Sequence, residues 1–211
     1  MIDSEFKQFV YTELSQIGKA MSDPKRIELL DLLCQCPKNV ETLAKAIKCS
    51  VAATSHNLQV LKQARMVKSE KDGKYIYYEA TDFGKEIWKN TSDSCEKYLP
   101  QIKSSLHDFF NQDSEFEEVS HKELNSLIKQ GKILLIDVRP PEEFEHSHIP
   151  GAISVPLRTI NEKIKSFSTK KKVVAYCRGT YCVLSKNAVM QLKAKGFRAF
   201  RLKQSVLDWK N

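Results

Sequence analysis

The stretch Val173-Val174-Ala175-Tyr176-Cys177-Arg178-Gly179 decides how the second half of this 211-residue chain is read. Its first four residues form an apolar run without polar alternation, as in a strand of a parallel sheet buried on both faces. A cysteine, an arginine and a glycine end the run, and a helical pattern follows over Val183–Lys195. Working outward, Ile133-Leu134-Leu135-Ile136-Asp137-Val138 repeats the continuous apolar pattern. Ala152-Ile153-Ser154-Val155 is a shorter strand, Leu124–Ile128 is helical, and Phe197-Arg198-Ala199-Phe200-Arg201-Leu202 closes the set. Strands alternating with helices predict an α/β domain with a parallel central sheet over residues 117–211.

Several of these residues form an ordered set. Leu135-Ile136-Asp137-Val138-Arg139, Glu142-Glu143-Phe144, His148-Ile149-Pro150-Gly151-Ala152 and the run through Cys177 together resemble the rhodanese domain. The resemblance implies a sulfur-handling site at Cys177. The layout agrees with it, because the N–H groups of a tight loop, and the helix start behind them, favour an anion. They would lower the thiol pKa and make a nucleophile. The same cradle suits a terminal persulfide sulfur or an anionic donor such as thiosulfate. Arg178, Gly179, Thr180, Tyr181 and Cys182 complete the loop; Arg178 adds charge and Gly179 lets it turn tightly. Cys182 reads either as a second thiol that resolves a persulfide into a disulfide or as a residue packed at the helix start. Asp137 and Arg139 read as a supporting structural pair, and His148 as a residue that orders the chain after Phe144. Related phosphatases need an arginine six positions after the cysteine; Val183 stands there, which argues against phosphatase chemistry.

The first half has another period. Phe6, Phe9, Val10, Leu14 and Ile17 recur at helical spacing. Ser22-Asp23-Pro24 starts a second helix that Pro37 ends, Val40–Ile47 is a short third, and Ser50 can cap a fourth over Val51–Ala64. Met66–Lys71 and Lys74–Ala80 are rich in Val, Ile and Tyr, with Asp72-Gly73 between them, a hairpin signal. Two short helices, a tight turn and a hairpin spell a mainly helical winged helix-turn-helix domain with a β-hairpin wing, residues 1–110. A last helix from Phe83 carries a stripe of Ile87, Trp88, Cys95, Tyr98, Leu99, Ile102, Leu106 and Phe109, with Pro100 kinking or restarting it. So long an apolar stripe predicts a partner helix and a homodimer.

On the fourth helix Thr54, Ser55, His56, Asn57 and Gln59 offer short donors and acceptors for base edges and phosphates of double-stranded DNA. Ser50 precedes them, and Lys62, Arg65, Lys68, Lys71 and Lys74 flank them to neutralise phosphates. Lys25-Arg26-Ile27-Glu28-Leu29-Leu30, Ser55-His56-Asn57-Leu58-Gln59-Val60-Leu61 and Asp72-Gly73-Lys74-Tyr75-Ile76-Tyr77-Tyr78 resemble the ArsR/SmtB family of bacterial repressors. The resemblance implies a dimeric repressor that leaves its operator when an inducer binds. It places Ser55, His56 and Gln59 on the DNA and Lys71 and Lys74 on the wing. Many members sense metals through cysteines, and Cys34-x-Cys36 is the weak candidate for such a site. A persulfide-sensing arrangement would instead pair Cys34 or Cys36 with Cys95.

Net charge is +8, but it is not spread evenly. Lys38–Lys74 holds eight basic and three acidic residues, and Lys170–Asn211 eleven basic and one acidic. The first patch suits DNA, while the second surrounds the cysteine loop, where an anionic sulfur donor would arrive. Hydrophobic and charged shares of 41% and 28% fit a folded soluble protein. No apolar run reaches the ~18 residues of a membrane helix. Six cysteines and no visible export signal predict reduced thiols and a cytoplasmic protein. The short acidic stretch Asn111–Glu118 supplies a linker, set at 111–116.

The reading that follows is a DNA-binding regulator whose rhodanese domain senses or transfers sulfane sulfur through Cys177. It expects no cofactor beyond the covalent sulfur and no membrane partner. The alternatives are a sulfurtransferase with an accessory dimerising domain, and a metal- or metalloid-responsive repressor using Cys34 and Cys36.

Overall fold

Asp23 starts the second helix as its position before Pro24 predicts: its carboxylate accepts from the backbone N–H of Lys25 and Arg26, with the proline at the first helical turn. In the computed structural model, which describes residues 2–110, 121–168 and 171–209, that helix is the second of ten. The expected linker, 111–116, lies outside the described residues. The chain divides into two compact units, Met1–Asp93 and Ser94–Asn211, the division falling inside the fifth helix.

The first unit contains α1 (Ile2–Met21), α2 (Pro24–Leu33), β1 (Lys38–Asn39), α3 (Val40–Ile47), α4 (Val51–Gln63), β2 (Val67–Asp72), β3 (Tyr75–Ala80) and the start of α5 (Asp82–Tyr98). Asn39 caps α3 and Ser50 caps α4, each side chain accepting from an N–H of the first turn. Leu29, Leu30, Leu33, Leu43, Ile47, Leu58, Leu61 and Met66 fill the core between the helices. The strands form an antiparallel sheet in the order β1-β3-β2. Asp72 pairs with Tyr75, so the hairpin loop is Gly73-Lys74, one residue later than the Asp72-Gly73 signal placed it. At the root of the wing, α5 runs so close to Met66 that a Cβ on Gly84 would lie 2.0 Å from the Met66 carbonyl oxygen.

The second unit begins with the end of α5 and with α6 (Pro100–Phe110), which Pro100 restarts as a separate helix. Then come α7 (His121–Lys129), β4 (Ile133–Asp137), α8 (Pro141–His146), β5 (Ile153–Ser154), α9 (Ile160–Lys163), β6 (Lys172–Tyr176), α10 (Leu184–Ala194) and β7 (Arg198–Arg201). The four strands are parallel, in the order β5-β4-β6-β7. Alternate residues of β6 serve two cores: Val173 and Ala175 pack with Ala188, Val189 and Leu192 of α10. Val174 and Tyr176 pack on the opposite side with Leu124, Ile149 and Leu202. This double burial explains the unbroken apolar runs. Among the described residues, no helix is long and apolar enough to cross a membrane.

Candidate functional site

In a parallel sheet, ligands meet the carboxyl ends of the strands. Those ends carry Asp137 on β4, Cys177 directly after β6 and Arg201 on β7. Cys177 continues the inward alternation of Val173 and Ala175, and is buried on the α10 side. Its Sγ lies 3.1 Å from Ser185 Oγ and 3.3 Å from the main-chain oxygen of Cys182. As a thiol it donates to these oxygens. As a thiolate it accepts from the Ser185 hydroxyl, the Ser185 amide in the first turn of α10, and the Cys182 thiol. Burial disfavours the charged form, but these donors, with the positive charge of Arg201, outweigh it and draw the Cys177 thiol down from its ordinary value to about 6. Cys182 moves the other way: its hydrogen bond to Cys177, then its burial, hold its thiol well above the ordinary range. The pair therefore ionises at Cys177 first, and Cys182 keeps its proton.

The loop is fixed from outside. Arg178, expected to add charge to the cradle, instead makes a bidentate ion pair with Glu143: its Nη2 lies 2.6 Å from Oε1 and its Nε 3.0 Å from Oε2. Glu143 is fully buried, so Arg178 anchors the loop to α8 with its charge balanced. Gly179 has φ +126°, a conformation that side chains rarely adopt. The Cys182 N–H donates to the Gly179 carbonyl. Arg201 donates to the Thr180 carbonyl at 2.9 Å and lies 3.8 Å from the Phe110 ring centre. Thr180, Tyr181 and Cys182 are half-buried, and Val183 is exposed.

Asp137 and Arg139 meet as a fully buried pair, Nη2 to Oδ2 2.6 Å, and Arg139 also donates to the Ser147 carbonyl at 2.7 Å. His148 holds the Phe144 carbonyl through Nδ1 at 2.9 Å, and its ring stacks on the Phe144 ring. Sequence reasoning missed Ser185 and Arg201, and took Glu143 only as part of a pattern. A serine two residues into a helix and an arginine in a last strand have no local signature of a shared site.

The first unit presents a second candidate surface. On α4, Thr54, Leu58 and Leu61 face inward, while His56, Gln59 and Lys62 face solvent and Ser55 is half-buried. Thr54 is fully buried, which removes it from the expected base-facing set: its helical position falls on the core side. Ser50 caps the helix, Asn57 accepts from Arg26, Gln59 donates to the Tyr78 hydroxyl and Lys62 to Ser69, so helix and wing are tied together. Lys71 and Lys74 are exposed on the wing.

Cys34 and Cys36 lie in the turn after α2, both buried. Burial pushes the Cys34 thiol up to about 12, and the Cys36 sulfur accepts from Lys38 Nζ at 3.2 Å. Among the described residues, no group of three or more His, Cys, Asp or Glu side chains is arranged to hold a metal ion.

Comparison with known proteins places both halves. Residues 23–69 match the bacterial regulatory protein arsR family, and residues 120–211 match the rhodanese-like domain. The chain is 30% identical over 208 residues to the HTH-type transcriptional regulator Rv0324 of Mycobacterium tuberculosis, covering 98% of this chain and 91% of that one. It is 34% identical over 70 residues to a SmtB homolog, a transcriptional repressor, of Synechocystis, covering 33% of this chain and 53% of that protein. The solution structure of a homodimeric winged helix-turn-helix DNA-binding domain from Mycobacterium bovis is similar over 44% of this chain and 87% of its own, with 26% identity and a TM-score of 0.43. With its near full-length likeness to Rv0324 and a match in each half, the chain belongs to the ArsR-type family of HTH transcriptional regulators, and it carries a C-terminal rhodanese-like domain.

Proposed function

We propose that the chain is a cytoplasmic, homodimeric repressor that binds double-stranded operator DNA through α4 and the wing, and that sulfane sulfur taken up at Cys177 lowers its affinity for DNA. The observation that carries this reading is Cys177 itself. It is a buried cysteine with a depressed pKa in a tight loop, in the same chain as a DNA-binding domain. A thiolate at neutral pH attacks the outer sulfur of a persulfide or polysulfide, and the loop N–H groups suit the anion that results. For the DNA surface, the support is the exposed face of His56, Gln59 and Lys62 and the wing lysines Lys71 and Lys74. For the dimer, it is the row of exposed Phe6, Phe9 and Leu14 on α1, which a partner would cover.

The rival reading is a sulfurtransferase, and turnover separates the two. With thiosulfate or polysulfide as donor and cyanide as acceptor, a sensor takes up about one sulfur per chain and then stops. Steady turnover at enzymatic rates, about 1–10³ s⁻¹, overturns the sensor reading.

A further inference from the structure

We propose that Cys182 is the resolving thiol of the loop: it converts a persulfide on Cys177 into a Cys177–Cys182 disulfide and releases sulfide. This rests on the sulfur-accepting reading of Cys177 and adds the step that follows.

Three observations carry it. Cys177 Sγ lies 3.3 Å from the main-chain oxygen of Cys182, which puts that sulfur against the residue that would attack it. The turn closed by the Cys182 N–H on the Gly179 carbonyl folds position 182 back over position 177, with Gly179 at a φ that permits so tight a return. The Cys182 side chain is partly buried and packs against the same core cluster that holds Cys177. Their ionisation is divided so that sulfur uptake falls to Cys177. Cys177 is the thiolate that takes sulfur from a donor, and Cys182 still holds a proton to give away.

The steps balance. The Cys177 thiolate attacks the outer sulfur of a donor R–S–SH; the donor S–S bond breaks, RS⁻ leaves, and Cys177 carries S–SH, which ionises to S–S⁻. The Cys182 sulfur then attacks Cys177 Sγ. The bond from Sγ to the outer sulfur breaks, and its electron pair goes to that outer sulfur. The outer sulfur takes the proton that Cys182 gives up and departs as HS⁻. The sulfane sulfur is reduced to sulfide and the two thiols are oxidised to one disulfide, so no other oxidant enters. The loop thus records sulfane sulfur as a disulfide, which a cellular dithiol reductant erases.

The test uses the full-length reduced protein, inorganic polysulfide as probe, and exclusion of oxygen. Trypsin cuts after Lys172, Arg178 and Lys186, so the disulfide joins peptide 173–178 to peptide 179–186. The expected result in wild type is a transient gain of one sulfur (about 32 Da), replaced by a loss of two hydrogens (about 2 Da). The linked peptides and one equivalent of released sulfide accompany it. Cys182→Ser should hold the added sulfur at least about ten-fold longer and release none. The linked wild-type peptides give the answer even if that variant folds poorly. Stable sulfur addition in wild type with no linked peptides overturns the resolving role and leaves the sulfur-accepting reading intact, as does a persulfide found on peptide 179–186. No change of mass at all overturns both.

Discussion

Burial alone would raise the Cys177 thiol; the donors Cys182 and Ser185 and the charge of Arg201 reverse that. The sign gives a prediction. Each of these groups favours the thiolate, so removing one raises the pKa and narrows the pH range in which the sulfur is nucleophilic. The rate of Cys177 alkylation by iodoacetamide should reach half its plateau near pH 6 in wild type. In Ser185→Ala and Arg201→Met the midpoint should move up by about one unit, the order of a single lost charge-assisted interaction. Profiles that overlay wild type contradict the assigned causes. Cys177 stands out in the sequence because a strand, a cysteine, an arginine and a glycine are consecutive. The Asp137–Arg139 pair was legible because its members lie two positions apart. Arg178 was misjudged because its partner Glu143 lies 35 positions away, and only the fold brings them together.

Secondary structure was legible wherever a period ran long enough. Strands β4 and β6 announce themselves by unbroken apolar runs, and the longer helices by their spacing and by the caps Asp23, Asn39 and Ser50. The short helices α8 and α9 escaped that reading, and so did two features of the first unit. Strand β1 has two residues, too few for any period, and exists because β3 pairs with it. The hairpin loop slipped by one position because Asp72 pairs with Tyr75 across the strands instead of turning. Thr54 shows the converse: the spacing of Thr54, Leu58 and Leu61 already put it on the inner face of α4. The packing of α5 on the wing root can be tested directly. In Gly84→Ala the added methyl meets the Met66 carbonyl, a backbone atom that also accepts from Thr81 N–H and Oγ1. The substitution should destabilise the first unit by about 3 kcal/mol. Urea unfolding should show a lower midpoint with the slope unchanged. A midpoint within error of wild type contradicts the close approach.

At the scale of the whole molecule, two units of different chemistry share one chain. One has a polar helix face and exposed wing lysines; the other has a buried cysteine at the carboxyl end of a parallel strand. Net charge is +8, yet its most basic stretch, Lys170–Asn211, belongs to the rhodanese-like half and not to the DNA-binding one. Linkage between the units is the central claim, and a coupling free energy between two sites in one protein commonly amounts to about 5–150-fold in affinity. The decisive measurement is fluorescence anisotropy of DNA fragments selected by the reduced protein, titrated at fixed salt with wild type and Cys177→Ser, before and after polysulfide. The expected result is at least about a ten-fold loss of affinity for treated wild type and none for treated Cys177→Ser, the two untreated proteins binding alike. Equal loss in both, or no loss in wild type, contradicts the claim that Cys177 governs DNA binding.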